Sequence, residues 1–124
     1  MVYLDANILI ETILPGRPLA REVADRLDQI DTDIAVSVLT VHLVYHFGRK
    51  YKVPDDVLED VLSPNLILAL TPEDYQWAKI NEKGRDFEDA LQVACALRNG
   101  CASFMTIDKP LAKSYQPLLS FIVP

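Results

Sequence analysis

Short apolar runs alternate along the chain with longer segments in which apolar residues recur at helical spacing. Residues 2–4 form a short β-rich run, and residues 7–14 have the pattern of a helix that stops at Pro15 and Gly16. Pro18 begins a second amphipathic helix, with apolar residues every three or four positions. Further strands are predicted over residues 33–38, 66–70, 103–107 and 119–123, and further helices over residues 39–52, 54–62, 71–84 and 86–99.

This alternation predicts the fold class. Short apolar strands separated by helices are typical of a mostly parallel sheet with helices on both faces. We therefore expect a three-layer α/β/α sandwich with a mostly parallel central sheet, and 124 residues suit one domain of this kind. In such sheets ligands bind beyond the carboxyl ends of the strands.

Four acidic residues fall where this fold brings strand ends and helix starts together. Asp5 follows the first strand and Asp108 follows the fourth, so parallel strands place both at one edge. Asp86 and Asp89 stand in "RDFEDALQ", at the start of a helix whose first turn lies at that same edge. Helix capping explains one or two of these carboxylates without any function. Four acids from three distant segments point instead to a shared site.

Clustered carboxylates repel one another and raise each other's pKa unless a cation neutralises them. Sites built from oxygen ligands alone suit Mg²⁺ or Mn²⁺. Such ions activate water and stabilise the leaving oxygen in phosphodiester cleavage. The alternative is that each acid is a separate cap or turn residue.

Composition and charge narrow the class of partner. The net charge of −6 argues against a broad basic surface for nucleic acid, and it leaves open a local basic rim or an acidic site that holds cations. No apolar run reaches the ~18 residues that span a bilayer, and the N-terminus lacks the basic start of a signal peptide. We expect a cytoplasmic protein with no membrane partner. Cys95 and Cys101 fit no zinc or redox spacing, so we expect reduced core residues.

Three acidic stretches together resemble PIN-domain proteins, the nuclease fold of VapC-type toxins. "YLDANILIETIL", "DFEDALQVACALRNGC" and "FMTIDK" are similar to the three acidic motifs of that family, in the same order and spacing. The resemblance implies a single PIN-like domain over residues 1–124. It also implies that Asp5, Asp89 and Asp108 are catalytic and bind metal, and that Asp86 is an additional acid of the same site.

The resemblance extends to small polar residues and has one departure. Asn7, Ser37, Thr40 and Thr106 match positions that commonly support the acids. The family usually has a Glu in a pattern such as S-x-L-T-x-x-E-L, but the stretch here is "SVLTVHLV", with Leu43 in that place. The missing carboxylate leaves fewer hard ligands, which puts metal affinity and activity in question.

Residues of the same helix are candidates for substrate contacts. His42 lies next to Leu43, and it is four residues from His46, which is half of a zinc motif without an obvious third ligand. Arg49 and Lys50 are candidates for contacts to RNA phosphates. Alternatively, these two basic residues only complement the helix dipole, because they lie in the last turn of the helix.

The sequence thus predicts a Mg²⁺- or Mn²⁺-dependent endoribonuclease, and the resemblance implies the toxin of a type II toxin–antitoxin pair, with a cognate antitoxin and a homodimer. One alternative is a catalytically weakened PIN scaffold that binds RNA or protein. A third possibility, an aspartyl-phosphate protein, is disfavoured because the strand over residues 66–70 leads to Thr71 rather than to an acid.

Overall fold

The computed structural model describes residues 1–82, 84 and 86–124, and over these residues it has five strands and seven helices. All neighbouring strands pair in parallel, in the order β3-β2-β1-β4-β5. The predicted α/β class with a mostly parallel sheet is confirmed. In chain order the elements are β1 Val2–Leu4, α1 Ala6–Ile13, α2 Ala20–Asp28, β2 Ile34–Ser37, α3 Val38–Lys50, α4 Asp55–Leu62, β3 Leu66–Leu68, α5 Pro72–Asn81, α6 Phe87–Arg98, β4 Ser103–Met105, α7 Lys109–Tyr115 and β5 Ser120–Ile122.

The two faces of the sheet bury two apolar clusters. Leu4 and Met105 point to the face covered by α1, α2, α3 and α4. Tyr3 and Phe104 point to the opposite face, where they stack at 5.1 Å between ring centroids and pack with residues of α6 and α7. Because successive strand residues alternate between faces, these short strands supply both cores and form the middle layer.

The carboxyl ends of the two central strands lie side by side. Leu4 of β1 is paired with Met105 of β4, and the backbone N–H of Asp5 donates to the Met105 carbonyl at 2.9 Å. The residues that follow the two strands, Asp5 and Thr106, are therefore adjacent across the sheet. This pairing forms the floor of the edge at which the acids gather.

Helix α7 was not predicted from the sequence. It has only seven residues, too few to show a clear helical period. Its start depends on Asp108, whose side chain accepts the backbone N–H of Leu111 at 3.0 Å. In the part of the chain that the structure describes, no helix is long and apolar enough to cross a membrane.

Candidate active site

Four acids lie near the carboxyl ends of β1 and β4 and at the start of α6, namely Asp5, Asp86, Asp89 and Asp108, and we call this region the acidic edge. Asp5 is its buried centre. Its side chain lies at the start of α1, and the residue is only 3% exposed. One carboxylate oxygen, Oδ1, accepts the Gln92 Nε2–H at 3.1 Å and, more weakly, the backbone N–H of Asn7 at 3.5 Å. The other oxygen, Oδ2, accepts the Thr106 hydroxyl at 2.7 Å. The carboxylate is therefore held in one orientation.

Burial raises the pKa of Asp5 because the charged form loses its contact with water. The hydrogen bonds from Thr106, Gln92 and Asn7 favour the carboxylate and offset part of this rise. The negative charge of Asp108 acts in the other direction and raises the pKa again. A positive charge bound beside Asp5 would relieve both the burial and the repulsion.

Gln92 links α6 to this carboxylate, and sequence reasoning did not single it out. It is fully buried, and its Oε1 accepts the backbone N–H of Ala6 at 3.0 Å while its Nε2 donates to Asp5. One amide thus satisfies the first turn of α1 and fixes the acid. A polar amide within the apolar run "ALQVACAL" is the signal that could have identified it.

Thr106 and Asp108 continue the network from the end of β4. Thr106 is fully buried, and its Oγ1 also accepts the backbone N–H of Asp108 at 3.0 Å. Asp108 is half-buried and caps α7. Thr106 therefore links the two acids, and the charge of Asp108 acts on Asp5.

Asp86 and Asp89 lie at the start of α6, as expected, in different environments. Asp86 is exposed and caps the helix by accepting the backbone N–H of Glu88 at 3.0 Å, so the capping explanation applies to it directly. Asp89 is half-buried in the first turn, three residues before Gln92. Residues three apart share a helix face, so Asp89 lies on the same face of α6 as Gln92, whose amide contacts Asp5.

Glu88 is a further acid of this edge that was not among the predicted site residues. It is half-buried and lies one turn before Gln92. Burial raises the pKa of Glu88, the negative charges of Asp86 and Asp5 raise it further, and His42 lowers it. Glu88 therefore lies close enough to Asp5, Asp86 and His42 for their charges to act on it.

Ser37 and Thr40 are buried, and their hydroxyls lie beside the Tyr3 phenol. Among the described residues, neither hydroxyl makes a hydrogen bond to an acid of the edge. Both hydroxyls lower the pKa of the Tyr3 phenol, which burial raises strongly. Within the described residues, none of these three hydroxyl oxygens has a well-aligned hydrogen-bond partner, so they are neighbours without a completed network. Among the described residues, the buried Asn7 side-chain oxygen has no hydrogen-bond partner either, and the backbone N–H of Asn7 donates to Asp5.

Leu43 makes an apolar contact at the position where the family that the sequence resembles usually has a Glu. It is half-buried and packs with Ala6, Ile10 and Leu14 of the first helix and its end. Ala6 directly follows Asp5, so this contact borders the acidic edge without adding a polar group to it.

The remaining candidates lie on the outer side of α3. His42 is exposed near the start of α3, and its charge lowers the pKa of Glu88. Arg49 and Lys50 are exposed near the other end of the helix. Arg49 forms two hydrogen bonds to Asp55, at 3.2 and 2.8 Å, and the structure does not bring this basic pair to the acids.

The donor set at the edge fits a hydrated cation better than a closed cage. Among residues 1–82, 84 and 86–124, no three side chains of the types His, Cys, Asp and Glu are placed to hold a metal ion by themselves. Mg²⁺ commonly keeps several waters and is held by one or two carboxylates. Asp5 and Asp108 supply oxygen ligands of that type, and both burial and the charge of Asp108 raise the pKa of Asp5.

Comparison with known proteins gives one family. The model of the PIN domain family matches residues 2–115. No curated protein matches the chain.

Solved structures share the fold at low sequence identity. A toxin–antitoxin complex from Klebsiella pneumoniae is 21% identical with a TM-score of 0.79, over 100% of this chain and 98% of that chain. VapC20 of Mycobacterium tuberculosis, a toxin that cleaves the sarcin-ricin loop, is 10% identical with a TM-score of 0.76, over 92% of this chain and 95% of that chain. VapBC2 from Rickettsia felis, bound to a DNA fragment from its promoter, is 19% identical with a TM-score of 0.69, over 100% of this chain and 99% of that chain.

Proposed function

The chain belongs to the PIN domain family, and from this membership and the acidic edge we propose that it is a metal-dependent endoribonuclease. The observation that carries the proposal is the state of Asp5, a buried carboxylate held by three donors beside a second acid. Burying a charge without a counter-ion is unfavourable. A fold that still maintains such a group at the carboxyl ends of parallel strands is suited to binding a cation there.

The proposed ligands are Asp5, Asp89, Asp108 and Asp86, with the first three as the catalytic acids. Asp5 accepts three hydrogen bonds, and a carboxylate has roughly four acceptor positions, so about one remains for a further partner. Gln92 prevents the carboxylate from turning away. When bound, Mg²⁺ or Mn²⁺ would lower the pKa of water and stabilise the leaving oxygen of the phosphodiester.

We further propose that residues 1–124 act as one cytoplasmic PIN-like domain, the toxin of a type II toxin–antitoxin pair. The support is the likeness of its fold to the toxin–antitoxin complexes from Klebsiella pneumoniae and Rickettsia felis. RNA is the proposed substrate, a cognate antitoxin is the proposed protein partner, and a homodimer is the proposed assembly.

Leu43 favours a second candidate function. An apolar side chain that packs on Ala6 and Ile10 cannot bind metal, which leaves the site with fewer carboxylates than the family pattern supplies. A PIN scaffold with weakened catalysis would still bind RNA or a protein partner. The two candidates differ in whether RNA is cut.

The test is cleavage of single-stranded RNA by the purified protein with Mn²⁺ or Mg²⁺, with excess chelator as the control. We expect cleavage that chelator abolishes and that Asp5→Asn or Asp89→Asn reduces on the order of 100-fold or more. The exposed Asp25→Asn on α2 is the matched control and should cut normally. Cleavage that persists in chelator or in both site variants contradicts the metal mechanism. RNA binding without any cleavage supports the scaffold.

A further inference from the structure

One outer face of α3 carries a row of flat side chains, namely His42, Tyr45, His46 and Arg49. The spacing of three and four residues places them on one side of the helix. Together they line a cavity of about 330 Å³. We call these four residues the α3 row.

The side chains of the α3 row are already stacked in pairs. The rings of His42 and His46 are nearly parallel, with centroids 6.0 Å apart and 25° between their planes. The Arg49 guanidinium lies over the Tyr45 ring at 5.2 Å from the centroid. Asp55 holds that guanidinium by two hydrogen bonds. The row therefore presents flat surfaces whose positions are largely fixed before any ligand binds.

Of the α3 row, Tyr45 is partly buried and packs against the core. Thr40, Val44 and Gly48 on the opposite face are buried, and they hold α3 against the rest of the fold. His42, His46 and Arg49 are exposed. Exposed stacked rings leave their outer faces open to a planar ligand.

The α3 row begins at the acidic edge. His42 directly precedes Leu43, which packs against Ala6, and Ala6 directly follows Asp5. From His42 the row extends about 10 Å along the helix, at ~1.5 Å per residue, to Arg49. A strand of nucleic acid that crosses the edge would meet these surfaces next.

We propose that the α3 row binds unpaired bases of single-stranded RNA beside the phosphodiester that the acidic edge cuts, an inference that rests on the proposed ribonuclease function. Proteins bind unpaired bases by stacking them on aromatic rings, histidines and arginine planes. Charge argues for stacking in particular. The net charge is −6, and Arg49 is already paired with Asp55, so attraction to phosphates contributes little here.

The test measures binding rather than cleavage. Fluorescence anisotropy with a labelled single-stranded RNA of about ten nucleotides is recorded in excess chelator, so that the probe stays intact. The double variant His42→Ala/His46→Ala should bind about 10-fold or more weakly, the loss expected when bases lose their stacking partners. His42→Phe/His46→Phe keeps flat rings and should restore most of the affinity.

The matched control lies on another helix. Tyr75 and Lys79 of α5 form an exposed cation–π pair with 5.1 Å between Lys79 Nζ and the ring centroid. Tyr75→Ala/Lys79→Ala removes a similar surface feature and should leave RNA affinity within about twofold. The wild-type salt dependence should also be shallow, since a single-stranded site loses only about 0.7 in log affinity per log salt for each phosphate contact.

Several results would overturn the assignment of the α3 row. These are an unchanged affinity in the alanine pair, an equal loss in the control pair, no RNA binding by the wild-type protein, or a steep salt dependence typical of many phosphate contacts. A changed oligomeric state of the alanine pair by light scattering, with RNA affinity unchanged, would make the row a protein contact. Failure of the ribonuclease function is distinguishable, because RNA binding that depends on the row would then persist in a protein that never cleaves.

Discussion

Asp5 carries its charge where water cannot solvate it, and this governs the behaviour of the acidic edge at the residue scale. Thr106 and Gln92 each donate a hydrogen bond to the carboxylate, and Asp108 repels it. The donors determine its orientation, while burial and repulsion keep its charged form unfavourable. A site of this kind gains stability either from a proton or from a cation.

We predict that Asp5→Asn raises the melting temperature in chelator near pH 7 by a few degrees, at roughly 4 °C per kcal/mol. The amide is uncharged, and the Thr106 hydroxyl can accept from it instead of donating. The pKa of Asp5 in the folded state is raised above its ordinary value of 3.8. Between these two pKa values the folded state therefore binds more protons than the unfolded state. Wild-type stability attributable to Asp5 is therefore present below about pH 4 and is lost as the pH rises through the folded pKa.

Melting curves of both proteins between about pH 4 and 8 check this. The advantage of the variant should be largest at neutral pH and shrink as the pH falls. An Asp5→Asn protein that melts below the wild type at pH 7, or a gap that grows on acidification, would contradict the account of Asp5.

We predict that Gln92→Met lowers the free energy of unfolding by about 2–4 kcal/mol. Methionine keeps most of the volume, but the Ala6 N–H is left unpaired and Asp5 loses a donor, and each buried group left without a partner costs about 1–3 kcal/mol. Urea denaturation in chelator measures it. Gln76→Met, exposed on α5, is the control and should change little. Equal effects of the two substitutions would mean that Gln92 does not hold the edge together.

At the scale of elements, the strand ends were predictable and the contacts between helices were not. The apolar runs that became β1 and β4 are followed by Asp5 and Asp108, and parallel pairing places these ends side by side. The amide of Gln92 was not predicted, because which face of α6 meets Asp5 depends on tertiary packing. For the same reason the sequence alone did not show that the Ser37 and Thr40 hydroxyls lie beside Tyr3.

The placement of α3 makes Leu43 informative. We predict that, in chelator, Leu43→Glu melts at a lower temperature than Leu43→Gln, because a half-buried carboxylate is added among the apolar residues that border the acidic edge. Excess Mn²⁺ should narrow or reverse the difference, since a ligand that binds the folded state stabilises it. Thermal melts of the Leu43→Glu and Leu43→Gln variants, with and without Mn²⁺, measure this difference. A difference that Mn²⁺ leaves unchanged would mean that position 43 does not face the metal site.

At the scale of the whole molecule, the fold is compatible with both an acidic chain and the proposed RNA substrate. The parallel sheet gathers carboxylates at one edge, where they suit cations, and α3 carries its flat side chains away from that edge. The net charge of −6 is thus compatible with RNA binding when a metal ion and base stacking supply the attraction. The proposed cleavage depends on a divalent cation at the acidic edge.

A crystal soaked in Mn²⁺ and measured for anomalous scattering tests that dependence most directly. The account predicts an anomalous peak bonded to Asp5 and to at least one of Asp89 and Asp108, and no such peak in crystals of Asp5→Asn. Mn²⁺ absent from the edge of the wild-type protein, or found only elsewhere, such as between His42 and His46, would contradict it.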